Sequence, residues 1–270
     1  MNRITRKLQA LSARKEKALV CFLTAGFPTI DATLPLVAEI EKGGADIIEL
    51  GMPFSDPLAE GPEIQNSSSI AIEQGVTLDT ILSFVKTIRQ SSEIPLVLMG
   101  YLNPIIAYSA EKFFRAAARA GVDGLILPEL PFEESNRFKS FFENSDLANI
   151  LLVTPTTPRR RIAMIDSASN GFLYCVSITG VTGSAELSTN TRYISKVKKF
   201  ARKNPVLVGF GIKTPADAQR IAQYADGVII GSALVQRISR KDSPQEIGKW
   251  VSQLKEALER KHDITFRNGE

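Results

Sequence analysis

Histidine is almost missing from this chain: there is one in 270 residues, His262, and it borders the polar tail ITFRNGE. That removes His-based acid–base catalysis, Ser-His-Asp triads and His-ligated metal centres from the chemistries to consider. Cysteine is nearly as scarce. Cys21 and Cys175 each sit in an apolar, strand-like run, and two thiols cannot build the disulfide framework of a small secreted domain, so both read as buried free thiols in a reducing compartment. No stretch approaches the 18 apolar residues of a membrane span. The N-terminal stretch MNRITRKLQALSARKEK is basic and amphipathic but lacks the apolar centre and cleavage site of a secretory signal. A transit peptide is the alternative, weakened because Glu16 and Lys17 run directly into the first strand pattern. A soluble, cytoplasmic protein is expected, with no membrane association. Charge of one sign is not concentrated either: 33 basic residues face 29 acidic ones, which reads as ordinary solubility and not as a nucleic-acid surface.

What is present is a repeated unit. GGADIIELG (43–51), AGVDGLILP (120–128) and QYADGVIIG (223–231) each read as helix end, turn, Asp and short apolar strand. Between such strands lie helical patterns, for example Leu78, Ile81, Leu82, Val85 and Ile88 on one face. Thr214-Pro215 with Asp217, and Ser243-Pro244 with Glu246, are helix starts. Apolar strand candidates fall at 18–24, 46–50, 95–100, 123–127, 149–153, 172–176, 205–209 and 226–230. Eight such βα units, buried on both faces, predict an α/β protein of the (β/α)8 TIM-barrel class. It is read as a single domain over 1–270, with an extra N-terminal helix at 1–15 and a flexible tail at 262–270. An open doubly wound sheet stays possible on pattern alone.

In such a barrel the chemistry collects at the C-terminal strand ends. Glu49 stands near that end of an otherwise apolar strand, where a buried carboxylate is expensive. It reads either as a catalytic acid–base whose pKa burial raises, or as a carboxylate satisfied by local donors. The next loop, GMPFSDPLAEGPEIQ (51–65), is rich in Pro and Gly and carries Asp56, Glu60 and Glu63; it is read as a non-helical connection that folds over a ligand, or as an inert one. Gly211 follows the seventh strand candidate, and Gly231-Ser232 follow the eighth and open a short helix, an arrangement suited to a phosphate group. The loop SITGVTGSAELS (177–188) adds Gly180 and Gly183.

These residues resemble the tryptophan synthase alpha chain family from about residue 14 to 260. The most specific match is IELGMPFSDPLAEGPEIQ, similar to the family's catalytic Glu followed by GxPFSDPxADGP; FLTAGFP, MGYLNP, AGVDGLILPELP, YCVSITGVTG and GFGI support it. The resemblance implies a lyase that splits indole-3-glycerol phosphate into indole and glyceraldehyde 3-phosphate, with no metal and no organic cofactor in this chain. It implies Glu49 and Glu60 as the catalytic pair, and Gly183, Gly211, Gly231 and Ser232 around phosphate. Phe22, Leu98, Tyr101, Leu125, Leu127 and Tyr174 would surround the indole, with Thr182 closing against the loop carboxylate; plain barrel core is the other reading of the apolar ones. The implied partner is a beta subunit carrying pyridoxal phosphate, in an alpha2beta2 complex.

Three positions depart from the family pattern. Glu60 stands for the usual Asp, Glu63 for Thr and Glu129 for Asp. One extra methylene moves a carboxylate by about 1.5 Å, enough to matter for rate. Two alternatives therefore stand beside the lyase: a mainly regulatory subunit that activates the beta chain, and another phosphosugar isomerase or epimerase barrel.

Overall fold

The computed structural model describes residues 1–58, 60–176, 184–209 and 211–259. Nine strands alternate with helices: β1 Ala18–Thr24, β2 Ile47–Gly51, β3 Leu96–Met99, β4 Gly124–Ile126, β5 Ala148–Ile150, β6 Leu152–Val153, β7 Leu173–Val176, β8 Val206–Gly209 and β9 Gly227–Ile230. All neighbours pair in parallel, in the order β5-β4-β3-β2-β1-β9-β8-β7-β6. The two edge strands, β5 and β6, are separated only by Leu151, so the sheet is a TIM barrel closed except at that residue, and the open doubly wound sheet is set aside.

The expected fifth strand, 149–153, arrives in two pieces for a local reason. Leu151 donates its N–H to the buried Ser169 hydroxyl at 3.1 Å, while its carbonyl still accepts from the Tyr174 amide at 3.0 Å. A side chain has replaced one rung of the ladder.

The repeated Asp closes the bottom of the barrel. Asp46, Asp123 and Asp226 each donate the backbone N–H to the preceding strand (Leu19, Leu96 and Val206 carbonyls, 2.8, 2.8 and 2.9 Å). Each carboxylate then accepts from the amide of that same residue, at 2.9, 2.8 and 2.7 Å. A cation completes each clasp: Lys255 at 2.8 Å, Arg89 at 2.6 Å and Lys198 at 2.6 Å. The repetition seen in the sequence is thus a register lock used three times.

The N-terminal helix, Arg3–Ala13, covers the same end. Ile4, Leu8 and Leu11, spaced by four and three, form its buried face, and Asn2 caps its start. Gly124 and Gly171 leave room for it: a Cβ at either would lie 3.1 or 3.2 Å from Ile4 carbons. With the floor plugged, access to the barrel interior is from the C-terminal strand ends.

Both predicted caps form. Thr214 and Asp217 exchange side-chain and backbone bonds at the start of Pro215–Ala222, and Ser243 and Glu246 do so before Pro244–Glu259. Two connections are shorter than expected. Helix Pro62–Glu73 begins inside the stretch read as loop, because Pro62 at its first position already has the helical φ and Glu63 suits the first turn. Helix Ser184–Phe200 likewise takes up 184–188, since no Gly or Pro follows Gly183 to delay it.

Candidate active site

Strand register decides which side chains face the barrel interior. Pairing sets Phe22, Glu49, Val97 and Gly124 on one rung, and Thr24, Gly51, Met99 and Ile126 on the rung above. Partners on neighbouring strands share a face, and alternate residues share it along a strand. Tyr174, on β7 across the barrel from β2, identifies that face as the inner one: burial first, and then the charges of Glu49 and Glu60, raise its hydroxyl pKa. Charges on the helix-facing side of β2 could not reach that hydroxyl so effectively.

Glu49 is fully buried, and neither of its carboxyl oxygens has a hydrogen-bond partner among the described residues. The reading in which local donors satisfy this carboxylate finds no such donor among the described residues. Desolvation with no compensating bond pushes its pKa up to about 8. Near neutrality Glu49 is mostly a protonated acid, able to give a proton and take it back.

Two glycines make space for the aromatic walls. A Cβ at Gly51 would sit 2.6 Å from the Phe22 ring, and one at Gly209 would sit 2.3 Å from the Tyr174 oxygen. Any larger residue at these strand ends would displace the rings beside Glu49. Neither glycine was singled out from the sequence, although a Gly closing an apolar strand is the signal that could have done so.

Glu60, half-buried, lies in the loop between β2 and helix Pro62–Glu73. Its carboxylate accepts from the Tyr101 hydroxyl, and Tyr101, itself buried, stacks on Phe54 at 5.0 Å between ring centres. Burial raises the Glu60 pKa; the Tyr101 bond and a backbone amide act against the rise, and the charge of Glu129 adds to it. Helix Pro62–Glu73 is anchored beside this loop by a buried 2.6 Å bond between Ser67 and Thr24 of β1. Gln65 further donates to the Glu60 carbonyl at 3.0 Å.

Gly231 and Ser232 open helix Ser232–Ser239, whose start has no side-chain cap. A Cβ at Gly231 would meet Phe22 and Ile64 at 3.7 to 3.8 Å, so this helix end adjoins the Phe22 wall. Gly211 follows β8 with φ +77°, a left-handed conformation that favours glycine, and is exposed. Thr182, Gly183 and His262 lie outside the described residues. Among the described residues no group of three His, Cys, Asp or Glu side chains is placed to hold a metal ion.

The register corrects part of the pocket expected from sequence. Leu98 and Leu125 share a rung with Leu50 and Leu23, on the face opposite Glu49, where they pack toward the helices. Leu127 is buried one residue beyond the end of β4. The inward positions on these strands are Val97, Met99, Gly124 and Ile126. A cleft of about 930 Å³ opens at the opposite end of the barrel, between helix Arg3–Ala13 and residues such as Asn149, Asn170 and Lys203.

A family profile described as "Tryptophan synthase alpha chain" matches residues 8–264. The chain belongs to the tryptophan synthase alpha chain family. The alpha chain of Geotalea daltonii is 46% identical over 263 residues, covering 96% of this chain and 99% of that one. Among solved structures, tryptophan synthase subunit alpha from Legionella pneumophila superposes with a TM-score of 0.88 at 39% identity, covering 96% and 98% of the two chains. Tryptophan synthase from M. tuberculosis in an aminoacrylate-bound form gives 0.86 at 32% identity, covering 96% and 100%. Membership in the tryptophan synthase alpha chain family places the chain among lyases and fits a carboxylate site at the top of a TIM barrel.

Proposed function

We propose that this chain cleaves indole-3-glycerol phosphate to indole and glyceraldehyde 3-phosphate, with Glu49 as the acid–base. The observation that carries this reading is the fully buried Glu49 carboxyl, without a hydrogen-bond partner among the described residues, whose pKa of about 8 keeps a proton available at neutral pH. Glu49 delivers that proton to ring carbon 3, which makes the indole ring cationic. Loss of the side-chain hydroxyl proton, back to Glu49, then drives the electron pair of the carbon–carbon bond into the ring and leaves an aldehyde. Glu60 faces the ring nitrogen and stabilises the positive charge that forms there.

Phe22, Met99, Tyr101, Ile126 and Tyr174 are proposed to surround the indole, and Gly211, Gly231 and Ser232, with Gly183, to hold the phosphate. These proton transfers need only carboxyl groups. Pyridoxal phosphate is assigned to a beta subunit, the proposed partner in an alpha2beta2 complex. Leu58, 92% exposed in the loop, and Ile106, 55% exposed on helix Leu102–Tyr108, offer that partner an apolar surface near the mouth.

The test is incubation of the isolated chain, and of its complex with a beta subunit, with indole-3-glycerol phosphate. Indole and glyceraldehyde 3-phosphate released in equal amounts support the lyase. Ligand binding with no release from either preparation, and release from a Glu60→Asp variant, would instead make the chain a regulator.

A further inference from the structure

Glu60 is longer than the Asp of the family pattern, so something must fix where its carboxylate goes. The two neighbours that face it come from the ends of other strands. Tyr101, just past β3, donates its hydroxyl to Glu60 Oε2, and Phe54 from the Glu60 loop stacks on the Tyr101 ring at 5.0 Å. Glu129, just past β4, accepts from the Leu102 amide and so pins the turn that carries Tyr101. Glu129 is also longer than its family counterpart, so the two lengthened acids act on adjacent residues, 101 and 102, of one turn.

We propose that Tyr101 is a positioning residue for Glu60, and that Glu129 fixes the turn from which Tyr101 acts. This deepens the lyase reading and rests on it for the role of Glu60. The bond holds the extra methylene folded toward the barrel mouth and favours the charged carboxylate that a cationic indole requires. Among the described residues the titratable groups facing Glu60 from other elements include Glu129 past β4, Tyr101 past β3 and the Tyr174 hydroxyl on β7, and its own loop and helix carry Asp56 and Glu63. Of these, Asp56 is engaged with Ser55 at 2.7 Å. An Asp at position 60 would fall short of the Tyr101 hydroxyl by about one bond length.

The experiment has two arms. In the first, the Glu60 carboxyl is titrated by 13C NMR in the full chain and in Tyr101→Phe, its signal assigned by its loss in Glu60→Gln. The proposal expects a higher Glu60 pKa in the variant, because a bond that favours the charged form has gone, and an unchanged or lower value overturns it. This arm does not depend on turnover, so it stands even if the lyase reading fails.

In the second arm, kcat and KM for indole release are measured for Tyr101→Phe, Glu60→Asp and the double variant. The expected result is about a tenfold loss of kcat in Tyr101→Phe, with KM changed less than threefold and the acidic limb of the pH profile moved upward. In the Glu60→Asp background the same change should cost less than twofold. An equal loss in both backgrounds overturns the proposal. So does a loss confined to KM. Should the wild type release no indole alone or in complex, the lyase reading fails, and the titration alone decides the role of Tyr101.

Discussion

At the residue scale, Glu49 is where the proposed function works against stability. Its folded pKa, about 8, lies above the ordinary value of 4.5, so the folded state holds a proton that the unfolded state gives up between those pH values. The sign follows: no effect below about pH 4.5, falling stability as pH rises toward 8, and the full cost above it. Glu49→Gln should therefore be more stable than the wild type by an amount that grows from pH 5 to pH 8 and reaches a few kcal/mol. Urea unfolding of both proteins across that range checks it, and equal stability at pH 8 would count against a strained carboxyl. The residue was legible in sequence because one charge in an apolar strand is conspicuous. Leu98 and Leu125 were misplaced for the opposite reason: a strand buried on both faces has no alternation, so its inner residues look like its outer ones. Only pairing with Glu49 on the next strand reveals Val97, Met99 and Ile126.

At the element scale, the strands are held in register by the three Asp clasps and by one substitute rung. Asp123 is the most buried of the three and is shared between Arg89 and Arg3, at 2.6 and 3.1 Å. Asp123→Ala strands Arg89 among backbone carbonyls and should cost about 3–5 kcal/mol. Asp226 pairs with a more exposed Lys198, so Asp226→Ala should cost about 1–3 kcal/mol, mainly from the Val206 amide left without its acceptor. Thermal unfolding should rank the two in that order; a reversed order would deny the clasp at 123 its role. Ser169→Ala leaves the Leu151 amide without its partner and should cost about 1–3 kcal/mol, with faster amide exchange at Leu151 than at its neighbours Ile150 and Leu152. The repeat was visible in sequence, but its purpose was not, because the residues it joins are about 20 to 27 positions apart. The split of the fifth strand was hidden in the same way: Ser169 is 18 residues from Leu151.

At the scale of the whole molecule, the two ends of the barrel have separate duties. The bottom carries the clasps and the N-terminal helix, and the top carries the carboxylates, the aromatic walls and an open helix start. Apolar groups on the top rim give the proposed partner its place, and Ile106→Asp should weaken binding of a beta subunit about tenfold or more while leaving release of indole by the isolated chain unchanged. Titration calorimetry and an indole assay on the same preparation check both halves. The barrel itself was readable from eight apolar runs and the helix starts between them, since each is a local pattern. Closure at Leu151 and the inward face are long-range facts that no local pattern carries.

The most direct test of Glu49 as a proton-bearing acid buried in the barrel is the pH dependence of kcat/KM for indole release, in the wild type and in Glu49→Gln. The expected wild-type profile falls by about tenfold per pH unit above roughly 8, as the free chain loses that proton, and Glu49→Gln should lie about 10² to 10⁴ below it. A profile flat through pH 8 to 9, or a Glu49→Gln variant as active as the wild type, would contradict it.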